Sequence, residues 1–485
     1  MSPSSAAAIE ASPNPKATSP QATSPHVTKP ADTADSAAAA RRAAMLNDPI
    51  VPLLLALALP TVIVLAVQTL VGVAETYFVS FLGTDAIAGV ALVFPVLMLM
   101  QMMSNGGIGG GVASAVARAT GAGRKADVDA LVTNSFVMAI ALGALFTIGE
   151  FVGGRALYAA LGGHGGALTA ALHYADVVFA GAILVWIVSL LSAALRGAGN
   201  TMVPAAITSG GLFILLPLSP LLIFGWGPVP SFGVAGAGLA VVAYYLVGTV
   251  VLVLYLRSGH SSLKLSFDLR LIEARLLGDI LKVGALSAFG TVQSNLTVVL
   301  VTGAVGLFGI DAIAGYGIAS RLDYILVPLM FSFGSAALTM VGANMGAGQV
   351  ARAERIAWLG ALIAAGVTQV IGLAAALFPL AWLSLFTSDA NVIATGTQYL
   401  HIVAPCYGVF GIGMLLYFAG QGAGHVLWPF FGGTARLVIA AVFGWVAVEL
   451  FGADLSTLFV IVAISSLAFG GVTAAALAIR GWSPR

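Results

Sequence analysis

The heptapeptide Gly83-Thr-Asp-Ala-Ile-Ala-Gly89 returns as Gly309-Ile-Asp-Ala-Ile-Ala-Gly315, at an offset of 226. Two further landmarks repeat in the same order and register. Gly121-Ala-Gly123 returns as Gly346-Ala-Gly348, at an offset of 225. Arg196-Gly-Ala-Gly-Asn-Thr-Met-Val-Pro204 returns as Gln421-Gly-Ala-Gly-His-Val-Leu-Trp-Pro429, also at 225. The chain therefore reads as two copies of one unit. Gly83, Asp85, Gly121, Arg196 and Gly197 are motif positions of the first copy; Gly309, Asp311 and Gly346 are those of the second.

Almost everything around these landmarks is apolar. Of 485 residues, 59% are hydrophobic and 8% charged, against about 25% charged in soluble domains. Positions 1–48 hold eight of the 39 charges, which leaves 31 spread over 49–485. One water-soluble globule cannot hide that much apolar surface. A net charge of +1 offers no basic patch for nucleic acid. The single cysteine, Cys406, has no partner for an internal disulfide and reads as a small hydrophobe. The apolar runs are continuous and longer than the roughly ten-residue strands of an outer-membrane barrel, so they read as membrane helices.

Beyond Asp48 there are twelve such runs: 50–81, 86–117, 128–152, 167–195, 202–225, 233–256, 279–307, 312–344, 353–378, 392–420, 426–450 and 455–479. Six fall in each copy. An even number makes both copies enter the membrane in the same sense, which predicts parallel repeats related by an axis along the membrane normal. The expected fold is an all-α polytopic membrane protein of twelve transmembrane helices in two six-helix repeats. Its expected divisions are a disordered tail over 1–45, a first lobe over 46–257, a linker over 258–278, a second lobe over 279–480 and a short tail over 481–485. The N-terminal tail is rich in Ala, Ser, Pro and Thr.

Basic residues orient the bundle. With the N-terminus inside, seventeen Lys and Arg fall on inside segments and only Arg155 on an outside loop. Arg321 and Arg436 lie within helices. Without the tail the split is still 13 to 1. Both termini are expected in the cytoplasm, with the protein in the cell (inner) membrane.

In repeated bundles the ligand sits between the halves, and alternating access comes from rocking one half against the other. Ionisable residues inside the membrane mark the working positions of such a protein. Glu75 stands out, in the first helix among valines. A carboxylate is costly to ionise there, which suits it to bind and release a proton. Gln68, two turns earlier, lies near the same face. At the repeat offset Glu75 is matched by Val301, so the acid belongs to one half only. Arg321 and Asp323 in helix eight are two positions apart and do not face each other. They, with Gln293, Ser294 and Asn295 in helix seven, are candidates for the substrate cavity; structural pairing and helix–helix bonding are the alternatives. Glu150 is expected to meet Arg155 or solvent. The chain has no Gly-x-x-x-x-Gly-Lys-[Ser/Thr], His-Glu-x-x-His or Gly-x-Ser-x-Gly motif. It is therefore not expected to be an enzyme, and its energy must come from an ion gradient, a partner subunit or the substrate's own gradient.

The pattern Leu59-Pro60…Gln68-Thr-Leu-Val-Gly-Val-Ala-Glu75-Thr-Tyr-Phe…Leu82-Gly83-Thr-Asp-Ala-Ile-Ala-Gly89, together with Gly121-Ala-Gly123, Arg196-Gly-Ala-Gly-Asn-Thr201 and Gly346-Ala-Gly348, resembles the multidrug and toxic compound extrusion (MATE) family. The resemblance covers residues 46–480. It implies two six-helix lobes forming a V-shaped cavity. It also implies cation-driven export, by proton or sodium antiport, of amphipathic and often cationic compounds. Glu75 stands where the family usually has an Asp in the first helix. Leu215 and Ser219, before Pro220, stand where its DinF-like branch offers an Asn and an Asp. The helix-seven acid of the NorM-like branch falls near Ser294, and its tenth-helix acid has no counterpart in Cys406–Gly420. Helix eight, with Arg321 and Asp323, is closer to the DinF-like branch. With few acidic oxygens left for a sodium site, H+ rather than Na+ is the expected coupling ion, with no cofactor and no metal. The expected partners are a small-molecule substrate and membrane lipids, and the expected state is a monomer. An exporter or flippase of a lipid-linked precursor or metabolite is the alternative; a non-transporting receptor is a remote one.

Overall fold

A computed structural model describes residues 30–482. Its first helix, α1 (Pro30–Asn47), precedes the membrane part. The first lobe follows: α2 (Ile50–Ser80), α3 (Thr84–Gly121), α4 (Lys125–Ala160), α5 (Gly165–Ala180), α6 (Ala182–Gly197), α7 (Met202–Phe224) and α8 (Val234–Arg257). The second lobe holds α9 (Ala274–Gly306), α10 (Ile310–Gly346), α11 (Val350–Leu377), α12 (Ala390–Ala423), α13 (Leu427–Phe451) and α14 (Leu455–Arg480). Eleven of these are long and apolar enough to span a bilayer, among the described residues. The pair α5 and α6, bent by 49° at Gly181, makes a twelfth span. Helices are what such sequences must form, because a bilayer offers backbone N–H and C=O groups no partner outside the segment.

The protein is thus an all-α polytopic membrane protein of two six-span lobes. The twelve runs read from hydropathy are all found. The largest boundary difference is in α4, which continues to Ala160 rather than ending near 152. The extra turns are held by packing: Tyr158 is fully buried and donates to Glu150 Oε2 at 3.0 Å. Glu150 therefore meets Tyr158, not Arg155 or solvent. α3 is interrupted by a π-helical turn at Met103–Gly107, where the helix changes from contacts within its lobe to contacts across the lobes.

The expectation of a disordered tail over 1–45 is corrected in its second part. Residues 1–29 lie outside the described residues, but Pro30–Asn47 is a helix. Its Ala-rich run 37–44 carries high helix propensity, and Met45 is 1% exposed, so tertiary packing adds to that propensity.

Both ends of the membrane part meet the start of one helix. The Asp48 carbonyl accepts from Arg352 Nη2 at 2.5 Å, and Trp482 N donates to Glu354 Oε1 at 2.7 Å. Both partners lie near the start of α11, so the two chain ends share one face, the terminal face.

The repeat is visible in the contacts. Gly83 and Gly309, with φ of 99° and 104°, each make the turn into α3 and α10. This left-handed backbone is favourable only to glycine. Asp85 lies against Gly166 at the start of α5, and Asp311 Oδ2 accepts from Asn391 Nδ2 at 3.3 Å at the start of α12. Each repeat thus uses the same Asp to reach its own fourth span.

Candidate functional site

Four crossed contacts close the terminal side. Ser114 of α3 donates to the Gln421 carbonyl, and its repeat equivalent Thr339 of α10 donates to the Arg196 carbonyl at 3.1 Å. A Cβ on Gly121 would overlap the Ala343 carbonyl, and one on its equivalent Gly346 would overlap the Arg118 carbonyl. Each contact and its mate are related by the repeat offset, so they straddle the pseudo-two-fold axis. Gln421 Nε2 also donates to the Gly106 carbonyl at 3.3 Å, while the Arg196 guanidinium lies 6.0 Å from the ring of Phe331, the equivalent of Gly106. The start of α2 adds Ile50, Leu54 and Leu57 to a core shared with Met330, Phe333 and Met340 of α10. Of the motif residues, Gly121, Arg196 and Gly346 therefore sit at the gate, where the two lobes meet on this side, while Gly83, Asp85, Gly309 and Asp311 serve turns and contacts within each lobe.

Toward the opposite face the named contacts run within lobes. α2 packs on α7, and α3 on α5 at Gly89 against Ala170 and Ala171. The lobes form a V that opens away from the terminal face. Asn295 Nδ2 reaches Met102 Sδ at 3.5 Å across the lobes, near the floor of that opening.

Glu75 lies in the first lobe, and its Oε1 is buried without a hydrogen-bond partner. Tyr174 of α5 and Tyr244 and Tyr245 of α8 stand close enough to feel its charge. The two α8 rings meet edge to face at 4.8 Å. Gln68 and Thr208 of α7 stand beside the Tyr244 hydroxyl. Gln68 and Glu75 thus both lie near Tyr244, which packs with Val71, Leu212 and Leu215 in an apolar cluster. Ser219 Oγ of α7 is buried without a partner as well. The tyrosines could not be read from sequence, because they stand on other helices, far along the chain from Glu75.

In the second lobe the structure separates Arg321 from Asp323. Arg321 is exposed, its guanidinium 5.5 Å from the ring of Phe386 in the segment between α11 and α12. Asp323 turns inward, where Oδ2 accepts from Tyr399 Oη at 2.7 Å. Tyr407 and Arg436 are its other charged or polar neighbours. Arg436, on α13, lies over Phe410 at 4.9 Å. Gln293 Nε2 donates to Thr434 Oγ1 at 2.8 Å within the lobe, Ser294 is exposed, and Asn295 faces the first lobe. Of the helix-seven cluster, then, only Asn295 is tied across the cleft.

The buried Tyr399 hydroxyl donates to the Asp323 carboxyl, and removing one partner of a buried hydrogen bond costs about 1–3 kcal/mol. Tyr399→Phe is expected to destabilise the detergent-solubilised protein by that amount, read as a lower midpoint in thermal unfolding. An unchanged midpoint would mean that Tyr399 and Asp323 do not stabilise the second lobe.

Twelve spans in two pseudo-symmetric lobes, gated on one side and parted on the other, define a two-lobe membrane transporter. The MatE family model matches residues 60–221 and again residues 287–446, and the chain belongs to this family. A FAD transporter of Shewanella oneidensis is 30% identical over 384 residues, covering 76% of this chain and 82% of that protein. A probable multidrug resistance protein, NorM, of Thermotoga maritima is 26% identical, covering 78% and 81%. Among solved structures, a MOP superfamily transporter from Pyrococcus furiosus superposes with a TM-score of 0.81 at 24% identity, covering 89% of this chain and 96% of that one. A MATE family transporter in an outward-facing conformation gives 0.79 at 23%, covering 89% and 95%. These likenesses show the same fold.

Proposed function

We propose that this transporter exports amphipathic organic compounds, often cationic drugs or toxic compounds, by alternating access driven by protons, with the terminal face in the cytoplasm of the inner membrane. Glu75 carries this reading. An unpaired carboxylate oxygen buried in an apolar wall is stable only with a proton or cation to share. Tyrosines, with Gln68 and Thr208 beside Tyr244, rather than further carboxylates, surround this position, which suits a proton better than Na+. The basic residues at helix ends favour a cytoplasmic terminal face. The V would then open outward, ready to release substrate and take up a proton. The protein acts as a monomer in this reading, since one chain supplies both lobes.

A second cargo is favoured by the Shewanella relative's name. A flavin dinucleotide is aromatic and anionic, and the Asn295 amide at the floor of the cleft offers it a hydrogen-bonding group. One experiment separates the two. Proteoliposomes are loaded in parallel with a cationic dye and with FAD, then given a pH gradient or a Na+ gradient. Dye movement driven by the pH gradient alone is expected. FAD movement instead would assign the cargo to the metabolite class, and a response to Na+ alone would sink proton coupling.

A further inference from the structure

We propose that α1 is a latch on the gate: it ties the two lobes together at the terminal face and must let go of one lobe each time that face opens. The helix holds both lobes at once. To the first lobe, Arg42 donates through Nε and Nη2 to the Gly121 carbonyl at 3.2 and 2.9 Å. Arg41 Nη2 reaches Ser262 Oγ of the linker that packs on this lobe at 3.3 Å, and Lys125 pairs with Asp35 at 2.6 Å. Met45 Sδ lies beside Gly199, in the turn after α6. To the second lobe, Asn344 Nδ2 donates to the Met45 carbonyl at 3.0 Å, and Arg352 to the Asp48 carbonyl.

The point of attachment is the gate itself. Gly121, whose carbonyl holds Arg42, is the glycine that touches Ala343 across the pseudo-axis, and Asn344 is the next residue. The lobes cannot part there while Arg42 holds one side and the Met45 carbonyl the other. Not every contact weighs equally. The Lys125–Asp35 pair is half exposed on both sides, and such pairs contribute little. The Arg42 and Asn344 bonds, and the buried Met45, carry the latch.

The latch also breaks the symmetry of the repeat. The repeat offset carries α1 onto 255–272, the end of α8 and the linker. That linker runs along the first lobe alone: Asn134 Nδ2 donates to the Leu271 carbonyl at 2.8 Å, and Lys264 N donates to Asp129 Oδ1 at 2.9 Å. The crossed contacts of the gate close both halves alike; α1 adds a one-sided bias toward the closed terminal face. Its effect is to make that state the resting one and to slow the half-cycle in which cargo enters from the terminal side.

This proposal rests on alternating access, and the test separates the two. The full chain is made with Cys406→Ser, Ala126→Cys and Ala351→Cys. The last two positions are exposed, repeat-equivalent, and in the first turns of α4 and α11. Spin labels there report the lobe separation at the terminal face by pulsed electron resonance in nanodiscs. A short distance is expected to dominate with α1 intact. Arg42→Ala, and Arg42→Ala with Asn344→Ala, are expected to raise the long-distance population at least about tenfold, the fold-change that losing even one of the two charge-assisted Arg42 bonds would bring. Arg42→Lys, which keeps one donor for Gly121, should fall between. Identical distributions in all variants overturn the latch, as does a lowered unfolding midpoint with unchanged distances, which would mark α1 as mere reinforcement. A long distance found in no variant, with or without substrate, overturns alternating access and the latch with it.

Discussion

Glu75→Gln protein, reconstituted in proteoliposomes, is expected to lose transport driven by a pH gradient by about 100-fold or more, while exchange of cargo for cargo continues. Gln is nearly isosteric with Glu, so Tyr174, Tyr244, Tyr245 and Gln68 keep their places, and folding should be little changed. What is lost is the group that binds a proton on one side and gives it up on the other. The energetic stake is direct. One proton moving down about one pH unit and about 100 mV supplies about 1.4 plus 2.3 kcal/mol, enough for a several-hundred-fold gradient of a neutral solute. Without that coupling only the cargo's own gradient remains. Glu75→Asp should retain part of the coupling, since it keeps the acid but shortens its reach by one methylene. Undiminished pH-driven transport in Glu75→Gln would remove Glu75 from the mechanism.

Gly346→Val is expected to hold the terminal face open and to reduce transport by at least about tenfold. The added Cβ would overlap the Arg118 carbonyl. That obstacle is backbone in a paired helix, so it cannot swing aside as a flexible side chain could, and overpacking of this kind costs about 1–3 kcal/mol or more. Because the Gly121–Ala343 contact sits across the same axis, prying one side apart loosens the other. Opening can be read by thiol labelling of Ser114→Cys in a Cys406→Ser background: the residue is buried at the gate and should label at least about ten times faster with Gly346→Val. Gly366→Val is the control, since nothing stands within 4 Å of a Cβ there. Equal labelling in the two valine variants would mean that the glycine contact does not close the gate.

Much of the architecture was legible along the chain. Twelve apolar runs gave twelve spans, because hydropathy is local and a bilayer leaves only the helix as an answer. The three repeated landmarks gave the parallel two-fold, because Gly83 and Gly309 need the same turn and Gly121 and Gly346 the same close approach. Less of the candidate site could be read. Glu75 and Gln68 were visible, being two turns apart on one helix. Arg321 and Asp323 looked like one feature and are two. Positions i and i+2 on a helix diverge by about 200°, so one side chain meets Phe386 and the other Tyr399. The helix at Pro30–Asn47 looked like an unstructured tail, since its composition is small and polar and the buried side of it is little more than Met45.

The spans, their number and the repeat thus followed from local composition and from likeness between two stretches of one chain. Who meets whom was settled only when the helices packed: Glu75 with the tyrosines of α5 and α8, Asp323 with Tyr399, Ser114 with Gln421, Arg42 with Gly121. The reason is that membrane helices associate through close packing and scattered polar bonds rather than through a hydrophobic stripe. The positions that do this carry no periodic mark, and their partners lie far away along the chain.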